Sequence, residues 1–234
     1  MSLSLPHLFA ALTIVMLSAL PALPQSTGGT TDAAKAQDHW YRAPAQGGVR
    51  RWQVAQMGGI AARATADAGG RMVRAFNEGA VLSSFGCTDV DGKLWCEIRS
   101  FRGGARGFLP ASALAPAQGR DGLVAMGKDD SRKRADRGSF DSTTEASCAQ
   151  ERGHPLGLCR IGVARGTGGD ATVVATFKNG FSRKLYFVHG EFVSANTTMS
   201  GNGTDIDWKL VAGVHLIRVD DQRFELSDAF VFGE

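Results

Sequence analysis

The sequence predicts an all-β protein: a small barrel or sandwich followed by a second small antiparallel β domain. Three observations support this fold class. Glycine accounts for 30 of the 234 residues, which favours many turns over long helices. Short segments that alternate between apolar and polar residues recur in both halves of the chain. A charged stretch with few apolar residues, 116–147, separates the two groups of segments and predicts a linker.

The chain starts with an apolar run, residues 8–23, that contains no charged side chain. A run of about 16 residues is short for a bilayer span, which needs about 20, and small residues with proline follow it. We therefore expect a signal peptide over residues 1–25 and a periplasmic or secreted protein with no stable membrane span after its removal. Because no Lys or Arg precedes the run, an uncleaved N-terminal anchor is the alternative.

Residues 26–47 are rich in Gly, Ala, Gln and Asp and show no apolar periodicity, which predicts a flexible arm. Trp40 and Tyr41 are the only bulky side chains of this arm. They either dock on the following domain or are exposed to solvent.

Residues 48–115 contain five strand-like segments with turn signals between them. The segments are 51–57, 72–76, 80–87, 94–99 and 105–109. The Asp91-Gly92 pair predicts a tight turn between the third and fourth strands, because such a turn requires positive φ. Five short strands in about 65 residues are typical of a small barrel or sandwich and not of an α/β unit.

Residues 116–147 carry six basic and six acidic side chains. We interpret this segment as a solvated, charged linker. Its basic run, 131–134, is interleaved with acids nearby, so we expect a solvated face and not a binding patch.

Residues 148–234 again show β patterns. Segments 171–178 and 181–188 flank Asn179-Gly180, which predicts a hairpin with a type I′ turn and positive φ at both residues. Three further strands are expected at 206–211, 214–219 and 223–226. This part of the chain is the predicted C-terminal antiparallel β domain.

The chain has four cysteines, Cys87, Cys96, Cys148 and Cys159. An even number in an exported chain predicts disulfides, and four cysteines allow three connectivities. Their spacing favours two local bridges, Cys87–Cys96 and Cys148–Cys159. We expect no metal or other cofactor, because the chain has neither tight C-x-x-C pairs nor a histidine at ligand spacing.

Three motifs of the first domain occur in a characteristic order: Trp52-x-Val54, Gly92-x-x-Trp95-Cys96-x-Ile98 and Gly107-Phe108-Leu109. In this order they resemble the bacterial SH3 family (SH3b) over about residues 48–115. The chain departs from the family at 65–70, where the family has Ser-Gly-Pro, and at Phe108, where Trp is commoner. The resemblance implies an SH3-like barrel that binds the cell wall or a protein, often as an accessory to a hydrolase.

The first domain is basic, with nine Lys or Arg against five Asp or Glu, whereas residues 148–234 have nine against ten. Its charge favours an acidic partner such as a cell-wall polymer or an anionic surface. The whole chain has a net charge of only +3, and a dedicated nucleic-acid binder is usually far more basic. We therefore expect peptidoglycan or a cell-envelope protein as partner, and no nucleic acid.

The predicted ligand-binding groove consists of aromatic and basic side chains of the first domain, namely Trp95, Phe101, Phe108, Arg99, Arg102 and Arg106. Trp52 and Phe85 are interpreted as core residues. The alternative for the whole set is core packing of the aromatic rings and solvation of the arginines.

Catalytic chemistry finds little support in the sequence. A cysteine nucleophile requires a free thiolate beside a histidine, and His154 lies between Cys148 and Cys159, which are predicted to be bridged. His189 is expected in an exposed turn, and His215 is expected to face solvent. The glycine-rich segment 166–169 lacks the strand-to-helix context of a phosphate loop, and no Gly-x-Ser-x-Gly motif occurs.

The expected function is therefore that of a non-enzymatic periplasmic binding module whose SH3b barrel contacts peptidoglycan or a cell-envelope protein. Two alternatives stay open. One is an exported inhibitor of a cell-envelope hydrolase, acting through the loop between Cys148 and Cys159. The other is an accessory of a cell-wall hydrolase, or an enzyme itself.

Overall fold

The computed structural model describes residues 38–197 and 205–233. The predicted signal peptide, 1–25, and the first part of the predicted arm, 26–37, lie outside the described residues. The described part of the chain is all-β, with two antiparallel sheets and little helix. None of its helices is long and apolar enough to cross a membrane.

The first sheet has seven antiparallel strands in the order β3-β2-β6-β5-β4-β1-β7. The strands are β1 (Arg51–Val54), β2 (Ile60–Arg63), β3 (Met72–Phe76), β4 (Val81–Val90), β5 (Lys93–Ser100), β6 (Gly107–Pro110) and β7 (Leu114–Pro116). Its core contains the fully buried side chains of Trp52, Leu82, Ile98 and Leu109. Single 3₁₀ turns occur at His39–Tyr41, Pro44–Gln46 and Ala111–Ala113.

The second sheet has eight antiparallel strands that curl into a nearly closed barrel. The strands are β8 (Ser142–Ala149), β9 (Gly157–Arg165), β10 (Ala171–Thr176), β11 (Ser182–Val188), β12 (Glu191–Ala195), β13 (Ile206–Val211), β14 (Val214–Val219) and β15 (Gln222–Ser227). Six of the seven pairings join consecutive strands, and β15 returns to pair with β8. β12 and β13 are therefore the two edges. A short helix, α2 (Asp228–Phe232), follows β15 and buries Val231 in the barrel core.

The Asn179-Gly180 hairpin joins β10 to β11, but its turn is not the predicted type I′. Of the two residues only Gly180 has positive φ, at 86°. The backbone N–H of Phe177 donates to the carbonyl of Phe181 at 2.9 Å, so the loop holds three residues and not two. The Asn179 side chain accepts the N–H of Phe181 at 3.1 Å, a local bond that competes with the left-handed conformation. Turns with two positive φ values occur instead at Asp91-Gly92 and Ala212-Gly213.

The segment predicted as a solvated linker, 116–147, is structured. It contains bridges between Gln118 and Val124 and between Val49 and Met126, the helix α1 (Ser131–Asp136) and most of β8. The segment is anchored by small buried residues, which a search for large apolar side chains overlooks: Ala117, Ala125, Ser131 and Ala135. Ion pairs such as Arg134–Asp141, at 2.8 Å, neutralise part of its charge.

The two sheets contact each other through a cluster of buried charges. Asp170 is 3% exposed and accepts hydrogen bonds from the Arg51 guanidinium and, at 3.1 Å, from the backbone N–H of His189. Arg50 lies 3.2 Å from the same carboxylate and donates to the carbonyl of Thr167 at 2.6 Å. The cluster joins β1 of the first sheet to the loop that precedes β10 of the second.

The glycine-rich segment 166–169 forms part of this interface. Gly168 has a φ of +71°, and its N–H donates to Asp121 at 2.8 Å. A Cβ on Gly168 would lie 2.5 Å from the Cβ of Ala125, so the two backbones meet only because residue 168 has no side chain. The glycines thus allow close packing between the two sheets.

Gly168→Ala is expected to lower the free energy of unfolding by about 3 kcal/mol, from the left-handed backbone and from overpacking against Ala125. Gly122→Ala is the matched control: its φ is +70°, but a Cβ there meets no atom within 4 Å. The control is expected to cost only about 1 kcal/mol. Urea unfolding of the two variants checks this difference, and equal losses would contradict the packing argument.

Both predicted disulfides form. Cys87–Cys96 joins β4 to β5, where the two residues are directly opposite in the register. Cys148–Cys159 joins β8 to β9. Each bridge therefore braces one hairpin within one sheet.

Candidate functional site

A groove of about 430 Å³ lies on the first sheet, between residues 38–46 and the β4–β5 hairpin. Aromatic and charged side chains line much of it, among them Tyr41, Arg42, Phe85, Trp95, Glu97 and Phe108. It combines flat apolar rings with charges of both signs. This composition suits a ligand that has apolar faces and ionised groups.

The groove exists because the end of the predicted arm packs against the first sheet. The Tyr41 ring stacks on Trp52, with ring centroids 5.5 Å apart and an interplanar angle of 18°. Gly86 has a φ of +105°, and a Cβ there would lie 3.0 Å from the backbone nitrogen of Ala43. Glycine at this position thus lets the arm approach β4. Of the two alternatives for Trp40 and Tyr41, the structure shows the docked one, with both packed against the core.

A β-bulge positions Phe85 in the groove. The register of β4 with β5 shifts between Ser84 and Gly86, so Phe85 has no direct partner on β5. The guanidinium carbon of Arg106 lies 3.7 Å from the centre of the Phe85 ring, and that of Arg99 lies 5.4 Å away. Bulges commonly re-aim a side chain in this way, and a guanidinium over a ring is a favourable cation–π contact.

Arg106 also pairs with Glu97, at 3.1 Å between Nη1 and Oε1. Glu97 lies on β5 opposite Phe108 of β6. A ring, a guanidinium and a carboxylate thus meet beside the groove. The Arg106 and Glu97 side chains are both partly exposed, at 53% and 31%, so their charges remain accessible to a ligand.

Four of the six predicted ligand-binding residues gather at the groove. Trp95 and Phe108 line it, and Arg99 and Arg106 border it through Phe85. Trp95 is only 6% exposed, so most of its ring belongs to the core.

Phe101 and Arg102 lie elsewhere. Arg102 is placed 5.3 Å over the Phe101 ring and pairs with Glu191 of the second sheet. This contact crosses between the sheets and does not border the groove.

Sequence reasoning missed several residues of the groove, among them Phe85, Tyr41, Arg42 and Glu97. Phe85 was expected in the core but is half-buried and lines the groove. Tyr41 belongs to a segment with no periodic pattern, and its stacking on Trp52 carries no sequence signal. The glycine that follows Phe85 was the one available hint, since glycine within a strand often marks a bulge.

A second group of polar residues is buried in the eight-stranded barrel. His215 is 0% exposed, which corrects the expectation that it faces solvent. Its Nδ1 accepts the indole N–H of Trp208 at 3.0 Å, and its Nε2 donates to Asp228 at 2.9 Å. Arg120, from the segment between the sheets, pairs with the same Asp228 oxygen at 2.7 Å. His215 is therefore buried because both ring nitrogens have partners.

Burial lowers the pKa of His215, and the neighbouring Asp228 only partly offsets this effect. The imidazole is neutral, since Nδ1 must remain unprotonated to accept from Trp208. His189 was expected in an exposed turn, but it is half-buried, and burial together with Arg51 lowers its pKa.

Within residues 38–197 and 205–233, no three His, Cys, Asp or Glu side chains cluster in a way that would hold a metal ion. Comparison with protein-family models, curated proteins and solved structures yields no match for this chain. The groove geometry is therefore the basis for a functional proposal.

Proposed function

We propose that the protein is a non-enzymatic binding module of the periplasm whose first sheet, an SH3-like barrel, contacts peptidoglycan. The observation that carries the proposal is the groove beside Phe85, where aromatic rings, Arg106 and Glu97 come together. The apolar run at 8–23 supports export, and the two disulfides fit an oxidising compartment.

The chemistry of peptidoglycan fits this combination of groups. Its sugar rings present apolar faces that pack on aromatic side chains, and its short peptides carry carboxylate and amino groups. The guanidiniums of Arg42 and Arg106 suit the carboxylates, and Glu97 and Asp38 suit the amines. Groups of both signs in one groove favour a ligand of mixed charge over a uniformly acidic polymer.

Phe85→Ala is expected to weaken binding to purified peptidoglycan sacculi about tenfold, because it removes the ring that supports Arg106 and Arg99. The measurement is co-sedimentation of the exported chain with sacculi at low and at moderate salt. Phe101→Ala is the matched control, since Phe101 also carries an arginine over its ring but lies outside the groove. Trp95 is a poor choice for substitution, because its buried ring also supports the fold.

Binding that persists at moderate salt and falls with Phe85→Ala but not with Phe101→Ala supports the proposal. Binding that disappears with salt would reduce the interaction to general attraction between a basic domain and an acidic polymer. Equal loss in both variants, or no binding at either salt concentration, would contradict the groove as the site.

A further inference from the structure

The edge strand β13 exposes three large apolar side chains. Ile206 and Leu210 are each 39% exposed, and Val211 is 49% exposed. Trp208 lies on the same face of the strand as Ile206 and Leu210, packs against the barrel core and bonds to His215. Among the described strands, β13 pairs with β14 alone, and its other side is called the open edge because no described strand bonds to it; Phe192 and Val193 of β12 lie across a cavity from its first residues. Exposed apolar edges of this kind readily pair with another strand.

The turn before β14 determines which backbone groups face this open edge. Ala212-Gly213 is a two-residue turn closed by the opposed residues Val211 and Val214. In such a hairpin the closing pair exchanges both hydrogen bonds, and bonded and non-bonded pairs then alternate along the ladder. The N–H and C=O groups of Ile206, Trp208 and Leu210 therefore point away from β14, towards the open edge.

The sequence of β13 is complementary to itself when it runs antiparallel. With Trp208 opposite Trp208 of a second copy, Ile206 meets Leu210 and Asp207 meets Lys209. This register brings together the outward-pointing groups of Ile206, Trp208 and Leu210, which is what an antiparallel ladder requires. Asp207 and Lys209 are both exposed and lie on one face, so each copy contributes to two pairs of opposite charge.

We propose that two copies of the chain associate through β13, antiparallel and with the two-fold axis at Trp208. A second copy fits this edge better than an unrelated strand does, because the opposed charges and the opposed aliphatic side chains come from the same six residues. The interface is isologous: each copy presents the same surface to the other. The eight-stranded sheets of the two copies are then continuous across the paired β13 strands.

The test uses charge exchange at exposed positions, measured by sedimentation equilibrium of the full exported chain up to about 1 mM. The unmodified chain is expected to dimerise with increasing concentration. Lys209→Asp alone, or Asp207→Lys alone, places like charges opposite each other and is expected to weaken association about tenfold or more. An equimolar mixture of the two variants restores opposite charges and is expected to form a heterodimer about as stable as the original dimer.

Lys178→Asp is the matched control, with the same change in net charge at an exposed turn between β10 and β11. It is expected to leave the dimer unchanged. Restoration in the mixture also shows that both single variants are folded. A monomer at all concentrations would overturn the proposal and leave the edge to a strand of another protein. A dimer insensitive to Lys209→Asp, or variants that stay monomeric when mixed, would overturn it as well.

Discussion

Asp170→Ala is expected to lower the free energy of unfolding by about 4 kcal/mol, because it leaves the guanidinium of Arg51 buried without its counter-charge. Arg51 is 5% exposed and Asp170 3%, so solvent cannot replace the lost partner. Arg50 and the N–H of His189 lose the same acceptor. The substitution therefore affects three contacts at the point where the two sheets meet.

Urea unfolding followed by tryptophan fluorescence and circular dichroism measures this loss, since urea, unlike guanidinium, does not screen charges. Arg102→Ala is the control: it removes the Arg102–Glu191 pair, which also joins the two sheets but has its arginine 65% exposed. Such an exposed pair is expected to contribute at most about 1 kcal/mol. A loss below about 1 kcal/mol for Asp170→Ala would show that the buried cluster does not stabilise the contact.

The stability of the protein is expected to fall as the pH drops below about 6.5, the ordinary pKa of histidine, because His215 has a lowered pKa in the folded state. Below this pH the unfolded chain binds a proton at His215, whereas the folded chain binds it only at a lower pH. The loss begins below the pKa of the unfolded state and levels off once the pH lies below the folded pKa. Protonation at Nδ1 also removes the hydrogen bond from Trp208.

Unfolding in urea at several pH values between about 7.5 and about 5.5 measures the slope of stability against pH. His215→Gln is expected to reduce this slope, and His189→Gln is expected to remove a further part, since the pKa of His189 is lowered too. His154→Gln is the control, because the His154 side chain is 63% exposed. His215→Ala is expected to cost about 3 kcal/mol at neutral pH, from the cavity and the orphaned partners. An unchanged slope in His215→Gln would contradict the assignment.

Alternation of apolar and polar residues predicted several strands, among them β14, whose side chains alternate between buried and half-buried. The expected segment 72–76 is β3, and 206–211 and 214–219 are β13 and β14. Strands without clear alternation were missed: β2 has the sequence IAAR, and β7 is three residues long and ends in proline. β8 was hidden in a polar segment, because its outer face carries Thr and Glu while its partners supply the apolar core.

Part of the groove was predicted from the sequence, and there is a physical reason why its other residues were not. Aromatic and basic residues of β5 and β6 could be recognised because the SH3b-like pattern places them on neighbouring strands. The contributions of Tyr41 and Phe85 depend on a bulge and on a packed arm, which arise from tertiary contacts at Gly86. His215 was misplaced for a similar reason: its burial depends on Trp208 and Asp228, which lie 7 and 13 residues away.

Because β15 returns to pair with β8, the entropy cost of loop closure differs between the strand pairings of the second sheet. Hairpin partners such as Val219 and Gln222 are neighbours along the chain, whereas Ser147 and Glu225 are almost 80 residues apart. Closing a loop of that length costs roughly 2.5 kcal/mol more than closing a short hairpin. Six pairings can thus form between segments that are close along the chain. The single long-range pairing, between β8 and β15, then joins the two groups of hairpins into one curved sheet with a buried inner face. The side chains of the β8–β15 seam, Cys148 and Phe224 among them, therefore carry the contacts that offset this closure.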